Sequence, residues 1–221
     1  MAFGRGPKIV KDNLVLMLDA ANPKSYPGTD TTWTDLSGNS HTGTLVNGLT
    51  YSSDNAGILN FDGTSDYIDI GYYSELNPAE ITHVAWVNAS SFVNWHGIIS
   101  NMPSWGTGFS LQIGTTQNIA AMVSGAYLKT SWTPSTNVWY HIVATHNSSD
   151  LNVLYVNGNQ ESTVTRSISY NGNAITRVGC FYTSPSLFFA GKMSLVRTYN
   201  RALTSDEVIQ DYNATKSRFG L

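Results

Sequence analysis

Trp139-Tyr140-His141-Ile142-Val143-Ala144-Thr145-His146, then Val153-Leu154-Tyr155-Val156 running into Asn157-Gly158, is the stretch on which the fold turns. The first run carries apolar groups on both faces, which suits a strand in the middle of a sheet rather than at its edge. The second ends on the dipeptide that best marks a two-residue hairpin, because both central positions of a type I′ turn need positive φ. Antiparallel β-structure is therefore expected around this point.

Working outward, the same texture continues. Phe109-Ser110-Leu111-Gln112-Ile113 alternates apolar and polar as a half-buried strand does, and residues 119–123 follow as its hairpin partner. Residues 193–199 predict another strand, with Met193, Leu195, Arg197 and Tyr199 on one face. Helical periodicity is absent until the last twenty or so residues. There, Thr204-Ser205-Asp206-Glu207 is a capping box with Leu203 and Val208 in the staple positions. Val208, Ile209 and Tyr212 then give an apolar stripe, so the helix should lie on the β-structure as a short lid. No repeat or linker divides the chain. The expected organisation is an arm at 1–11, one all-β antiparallel two-sheet sandwich at 12–215 with a short C-terminal helix, and a tail at 216–221.

Twelve basic residues face 15 acidic ones, and only 12% of the chain is charged. Without a basic patch, phosphate-driven nucleic-acid binding lacks its footprint. The surface must be built from Asn, Ser, Thr, Gly and Tyr, a composition that suits docking or adhesion and equally suits a turn-rich sandwich. Cys180 is the only cysteine, which excludes an internal disulfide and favours folding in a reducing cytoplasm. The N-terminal residues show no apolar h-region, so no signal peptide is expected. No run reaches the roughly 20 apolar residues of a membrane helix, so no membrane insertion is expected.

A family resemblance rests on several pieces in order: Trp33-Thr34-Asp35-Leu36-Ser37-Gly38-Asn39 with Gly43-Thr44-Leu45; Phe61-Asp62-Gly63-Thr64-Ser65-Asp66-Tyr67-Ile68; residues 81–87; the central strand and Asn157-Gly158 hairpin quoted above; and Gly191-Lys192-Met193 through Tyr199-Asn200-Arg201-Ala202-Leu203. Together they resemble laminin-G-like, concanavalin A-like lectin/glucanase domains, which implies a jelly-roll sandwich. Leu16-Met17-Leu18-Asp19-Ala20-Ala21-Asn22-Pro23 and the closing stretch from Tyr199 to Gly220 resemble structural proteins of tailed phages, marine and cyanobacterial ones especially. That implies a protein at the virion surface, folded in the host cytoplasm, with capsid, tail or fibre proteins as partners.

The fold hosts both enzymes and lectins, so residues must decide. Glucanases of this family place two glutamates and an aspartate at alternate positions of one strand, and no Glu-x-Asp-x-Glu occurs here. Asp66 and Asp69, three apart, point to opposite faces. His141 and His146, five apart, do the same, and no zinc motif is present. No catalytic residue is assigned. Relatives of this kind often hold Ca²⁺ in rim loops, for which Asp54, Asp62 and Asp66 are the candidate ligands; the alternative is that Asp62 and Asp66 make Asx turns. Asp19 and Arg201 are expected to form an ion pair between paired terminal strands, while Thr204 and Glu207 are structural. Trp95 and Trp105 fall in Gly/Ser/Pro/Asn-rich sequence, and with Tyr127 they are the candidate ligand face, either stacking on a sugar or packing the sandwich rim.

These observations point first to a non-enzymatic virion decoration or fibre component that adheres to host-surface glycans. A calcium-assisted lectin not tied to a particle stands second, and an atypical polysaccharide-degrading enzyme third. An exposed sheet edge favours a homo-oligomer.

Overall fold

In the computed structural model, which describes residues 7–92, 95–114, 116–182 and 185–221, two antiparallel sheets face each other. Among the described residues the strands are β1 (Leu14–Asp19), β2 (Thr32–Trp33), β3 (Gly43–Val46), β4 (Thr50–Ser52), β5 (Ile58–Asp62), β6 (Tyr67–Gly71), β7 (Ile81–Ala89) and β8 (His96–Ser100). They continue with β9 (Phe109–Gly114), β10 (Asn118–Val123), β11 (Ala126–Lys129), β12 (Trp139–His146), β13 (Leu151–Val156), β14 (Asn159–Thr165), β15 (Thr176–Val178) and β16 (Ala190–Tyr199). The first sheet runs β14-β13-β12-β7-β16-β5-β4, with β1 also paired to β16; the second runs β11-β10-β9-β8-β15-β6-β3-β2.

The stretch from Trp139 takes the place its composition demands. β12 lies between β13 and β7, and Asn157 and Gly158 turn the β13–β14 hairpin at φ 51° and 82°. Alternate residues then divide between two environments. Ala85, Val87, Ile142, Ala144 and Leu154 from the first sheet meet Ile68, Ile99, Leu111, Ile119 and Ala121 from the second in one continuous core. This burial of apolar area is what drives the two sheets together.

The face of β16 needs a correction. Met193 lies opposite Val87 and Leu195 opposite Trp86, so Ser194 is an extra residue in the ladder. Such a bulge reverses the parity of every later residue in the strand. Met193 therefore joins the inter-sheet core, while Leu195, Arg197 and Tyr199 turn to the outer face of the first sheet.

Helix α1 (Ser205–Thr215) covers that outer face. Its capping box forms: Thr204 Oγ1 accepts from the Glu207 amide at 3.3 Å, and the Glu207 carboxylate accepts from the Thr204 amide at 2.9 Å. Val208 packs with Leu203, Val84, Val143 and Tyr199. Ile209, expected in the buried stripe, is 44% exposed, and the inward position belongs to Asp211. Its carboxylate is fully buried between Arg197 and His141 Nε2, the latter at 3.2 Å. A charge there survives only because it is paired.

The described residues nearest both ends pack on the domain. Residues 216–221 are not a free tail: Lys216–Phe219 forms a 3₁₀ turn, and the Phe219 ring stacks on Trp86 with centroids 4.1 Å apart. Arg218 donates to Asp19 Oδ1 at 2.6 Å, to the Asn55 and Gly57 carbonyls at 2.7 and 2.9 Å, and to Ser194 Oγ. Asp19 is thus paired with Arg218 and not with Arg201. The reason is register: antiparallel pairing sets Asp19 opposite Leu195 and Leu14 opposite Tyr199, so Arg201 emerges at the far end of β1. There it meets Asp12 at 3.1 Å and Glu207 at 2.6 Å. Of the expected arm, residues 1–6 lie outside the described residues. Lys8 and Val10 dock on the domain itself, accepting from Gln210 Nε2 at 2.7 Å and the Tyr199 hydroxyl at 3.0 Å. Among the described residues no helix is long and apolar enough to cross a membrane.

Candidate functional site

The outer face of the second sheet carries the candidate site. Phe109, Leu111 and Ile113 of β9, Ile119, Ala121 and Val123 of β10, and Leu128 of β11 point into the core. Register therefore sends Gln112, Gly114, Asn118, Ala120, Met122, Tyr127 and Lys129 outward. The tight β10–β11 turn is Ser124-Gly125, both at positive φ, 41° and 84°. It does the work of the Asn-Gly turn of the other sheet with a less recognisable first residue.

Trp95, Trp105 and Tyr127, placed far apart in sequence, come together on this face. The Trp95 ring meets Tyr127 at 5.0 Å and 31°, and Trp105 edge-on at 5.7 Å and 81°. Trp105 and Tyr127 complete the triangle at 5.8 Å. Edge-to-face and tilted pairs at these separations are mutually attractive. Trp95 and Tyr127 also rest on Met102, Met122 and Phe181, which form a small apolar layer outside the sheet. Trp105 is 56% exposed, a large indole left facing water.

Beside the rings is a cavity of about 280 Å³, lined by Trp95, Tyr127, Gly114, Thr116, Asn118, Ala120 and Lys129. It falls just below the roughly 300–1,000 Å³ typical of ligand sites. Gly114 has a specific purpose, because a Cβ there would sit 2.2 Å from Asn118 Oδ1. The Asn118 amide in turn donates to Thr116 Oγ1. Burial, followed by the neighbouring Tyr182 phenol, pushes the Tyr127 hydroxyl up to about 12, so it stays a neutral donor. That hydroxyl has no hydrogen-bond partner among the described residues.

The carboxylate candidates go elsewhere. Asp62 Oδ1 accepts the amides of Thr64, Ser65 and Asp66 at 2.8, 2.9 and 3.0 Å, and Oδ2 takes the hydroxyls of Thr64 and Ser65. Partial burial alone would raise its pKa, but these donors, the Ser65 amide foremost, hold the carboxyl below the usual range. Asp66 Oδ2 accepts the Asp62 amide at 3.1 Å. This is the Asx-turn arrangement. Asp54 opens a separate 3₁₀ turn, Asp54–Ala56, beside Arg218. Among the described residues, no three or more His, Cys, Asp or Glu side chains assemble in a way that could hold a metal ion.

Gly114, Thr116, Asn118 and Lys129 are site residues that no sequence pattern singled out. Lys129 was within reach: two positions past Tyr127 on a strand, it must share Tyr127's face. Phe181 and Met102 were not, since only the folded loops carry them there.

Comparison with known proteins agrees with this architecture. A family profile described as concanavalin A-like lectin/glucanases superfamily matches residues 62–209. Domain 4 of AbnA, a GH43 extracellular arabinanase from Geobacillus stearothermophilus solved in complex with arabinotriose, superposes with a TM-score of 0.71 at 17% identity, over 91% of this chain and 98% of that one. Trypanosoma rangeli sialidase in complex with sialic acid matches with a TM-score of 0.73 at 13% identity, over 97% of this chain but only 36% of the sialidase. The binding domain of Paraclostridial Mosquitocidal Protein 1 matches with a TM-score of 0.69 at 20% identity, over 92% and 52%. No curated protein sequence matches the chain.

Proposed function

The chain belongs to the concanavalin A-like lectin/glucanase superfamily, and from that premise we propose that it is a non-enzymatic, glycan-binding domain displayed on a tailed-phage particle. The observation that carries the binding function is the Trp95–Trp105–Tyr127 triangle beside the cavity on the outer face of the second sheet. Aromatic rings offer large apolar faces at low entropic cost, with a polar tip free to hydrogen-bond, which suits the mixed surface of a sugar. A domain of the same fold, from the arabinanase, is solved with an arabinose oligosaccharide, which supports the ligand class.

The non-enzymatic assignment draws on the absence of Asp and Glu among the described residues lining this cavity. Glycoside hydrolysis of the usual kind needs two carboxyls about 5–5.5 Å apart for retention or about 6.5–9.5 Å apart for inversion. The virion setting rests on the phage-protein resemblance of the segments around Asp19 and between Tyr199 and Gly220. Both segments build the β1–β16 and helical face, which is free to dock on capsid, tail or fibre proteins while the aromatic face meets the host.

The test is a glycan array probed with the whole chain and with the Trp95→Ala, Trp105→Ala double variant, paired with turnover assays on each bound glycan. Binding without turnover that the double variant loses is the expected result. Product release from a bound polysaccharide would overturn the non-enzymatic assignment. Absence of the chain from purified particles, by cryo-electron microscopy, would overturn the virion setting alone.

A further inference from the structure

We infer that the saccharide this cavity takes is an anionic one, its negative group held against Lys129; the inference rests on the glycan-binding function proposed above. Lys129 pairs with Ala120 and Tyr127 with Met122 along β10–β11, so both side chains reach the same face, and both line the cavity. Among the described residues lining it, Lys129 is the single charged group, and none is acidic. That is a local reversal, since the chain as a whole carries 15 acidic and 12 basic residues.

The surroundings complete a site for an anion on a sugar. Thr116 Oγ1 already accepts from the Asn118 amide, which leaves its own proton to donate. Tyr127 contributes its ring to the cavity wall, while its hydroxyl is buried without a partner among the described residues. Lys129 is exposed, so its ammonium can meet a charge at the cavity mouth, where solvent and salt screen part of the attraction. An ammonium is also a point charge with three rotatable donors, not the planar fork of an arginine. It reads charge and not the shape of the acid, so carboxylated and sulfated sugars both belong to the class.

The experiment compares oligogalacturonate with its methyl ester, and sulfated with unsulfated galactan oligosaccharides, by isothermal titration of the whole chain at low and high salt. Wild type, Lys129→Gln and the Trp95→Ala, Trp105→Ala double variant are measured, with thermal midpoints confirming that each is folded. The expected result is acid bound at least about tenfold more tightly than ester, as a charge-assisted hydrogen bond gives. Lys129→Gln should abolish that preference, and high salt should narrow it in wild type. Equal binding of acid and ester, or a preference that survives in Lys129→Gln, overturns the inference while leaving ring-mediated glycan binding intact. Failure of every saccharide, charged or neutral, to bind overturns the glycan-binding function and this inference with it.

Discussion

Arg197 and Asp211 form an ion pair in which neither side chain has any exposure to solvent, one contributed by strand β16 and the other by helix α1. His141 Nε2 shares the same carboxylate. Burial pushes the Asp211 carboxyl up, but the Arg197 guanidinium and the His141 ring outweigh it and hold the carboxyl below its usual range. Removing one partner leaves the other charge stranded in a low-dielectric site. Asp211→Asn is therefore expected to cost about 3–5 kcal/mol, while Arg197→Met with Asp211→Leu together recovers most of that loss. Urea midpoints of the single and double variants are the measurement; a single variant that unfolds with wild type would show the pair to be neutral.

Fully buried His83 makes stability fall in mild acid. Its Nδ1 meets Thr198 Oγ1 at 3.0 Å, and its ring lies 5.4 Å from Phe109 inside the sandwich. Desolvation pushes its pKa down to about 3. The unfolded chain binds this proton near pH 6.5 and the folded chain does not, so the stabilisation is complete above about pH 6.5 and is lost progressively as pH falls towards about 3. Denaturant midpoints across that window should decline, and His83→Gln should flatten the decline. An unchanged slope in that variant would assign the acid sensitivity to other groups.

The two arginines near the chain ends should differ sharply. Arg218 is largely buried, pairs with Asp19 and satisfies two backbone carbonyls. Arg218→Ala is expected to lower stability by roughly 2–4 kcal/mol, because several acceptors and a carboxylate lose their donor together. Arg201 shares Glu207 with the helix cap and faces an Asp12 that is 77% exposed. Screening by solvent limits its ion pairs to about 1 kcal/mol or less. Thermal unfolding of Arg201→Ala and Arg218→Ala ranks them directly, and the reverse order would contradict the clasp described for residues 216–221.

Calcium should leave the thermal midpoint where it is. The oxygens of Asp62 are occupied by three amides and two hydroxyls of their own loop, and a cation would have to displace them. Asp62→Ala should cost about 1–2 kcal/mol through those lost bonds, equally with calcium and with chelator. A midpoint that rises with calcium in wild type and not in Asp62→Ala would restore the metal site.

Period-two alternation and turn chemistry made the sandwich legible in the sequence: the 139–158 stretch, the 109–123 hairpin and the Thr204–Glu207 box all express local rules. What stayed hidden is non-local. The parity of β16 depends on a bulge at Ser194 that no residue type announces, and that bulge sets Leu195, Arg197 and Tyr199 on the face opposite Met193. Asp211 lay outside the apolar stripe read at Val208, Ile209 and Tyr212, and its partners, Arg197 and His141, are supplied by two distant strands. Trp95, Trp105 and Tyr127 were recognisable as loop or surface aromatics, but their meeting depends on how β8, β9, β10 and β11 stack their ends. Gly114 carries no positive φ to flag it, and its value lies wholly in the space it yields to Asn118.

The pairing of β1 with β16 gives the domain a front and a back. Residues 8–10 and 216–219 both settle on the outer side of the first sheet, whereas the ring triangle and Lys129 open from the outer side of the second. A full sandwich thickness, two sheets about 10 Å apart, separates handle from palm. A ligand held by the rings therefore sits on the side of the domain opposite residues 8–10 and 216–219.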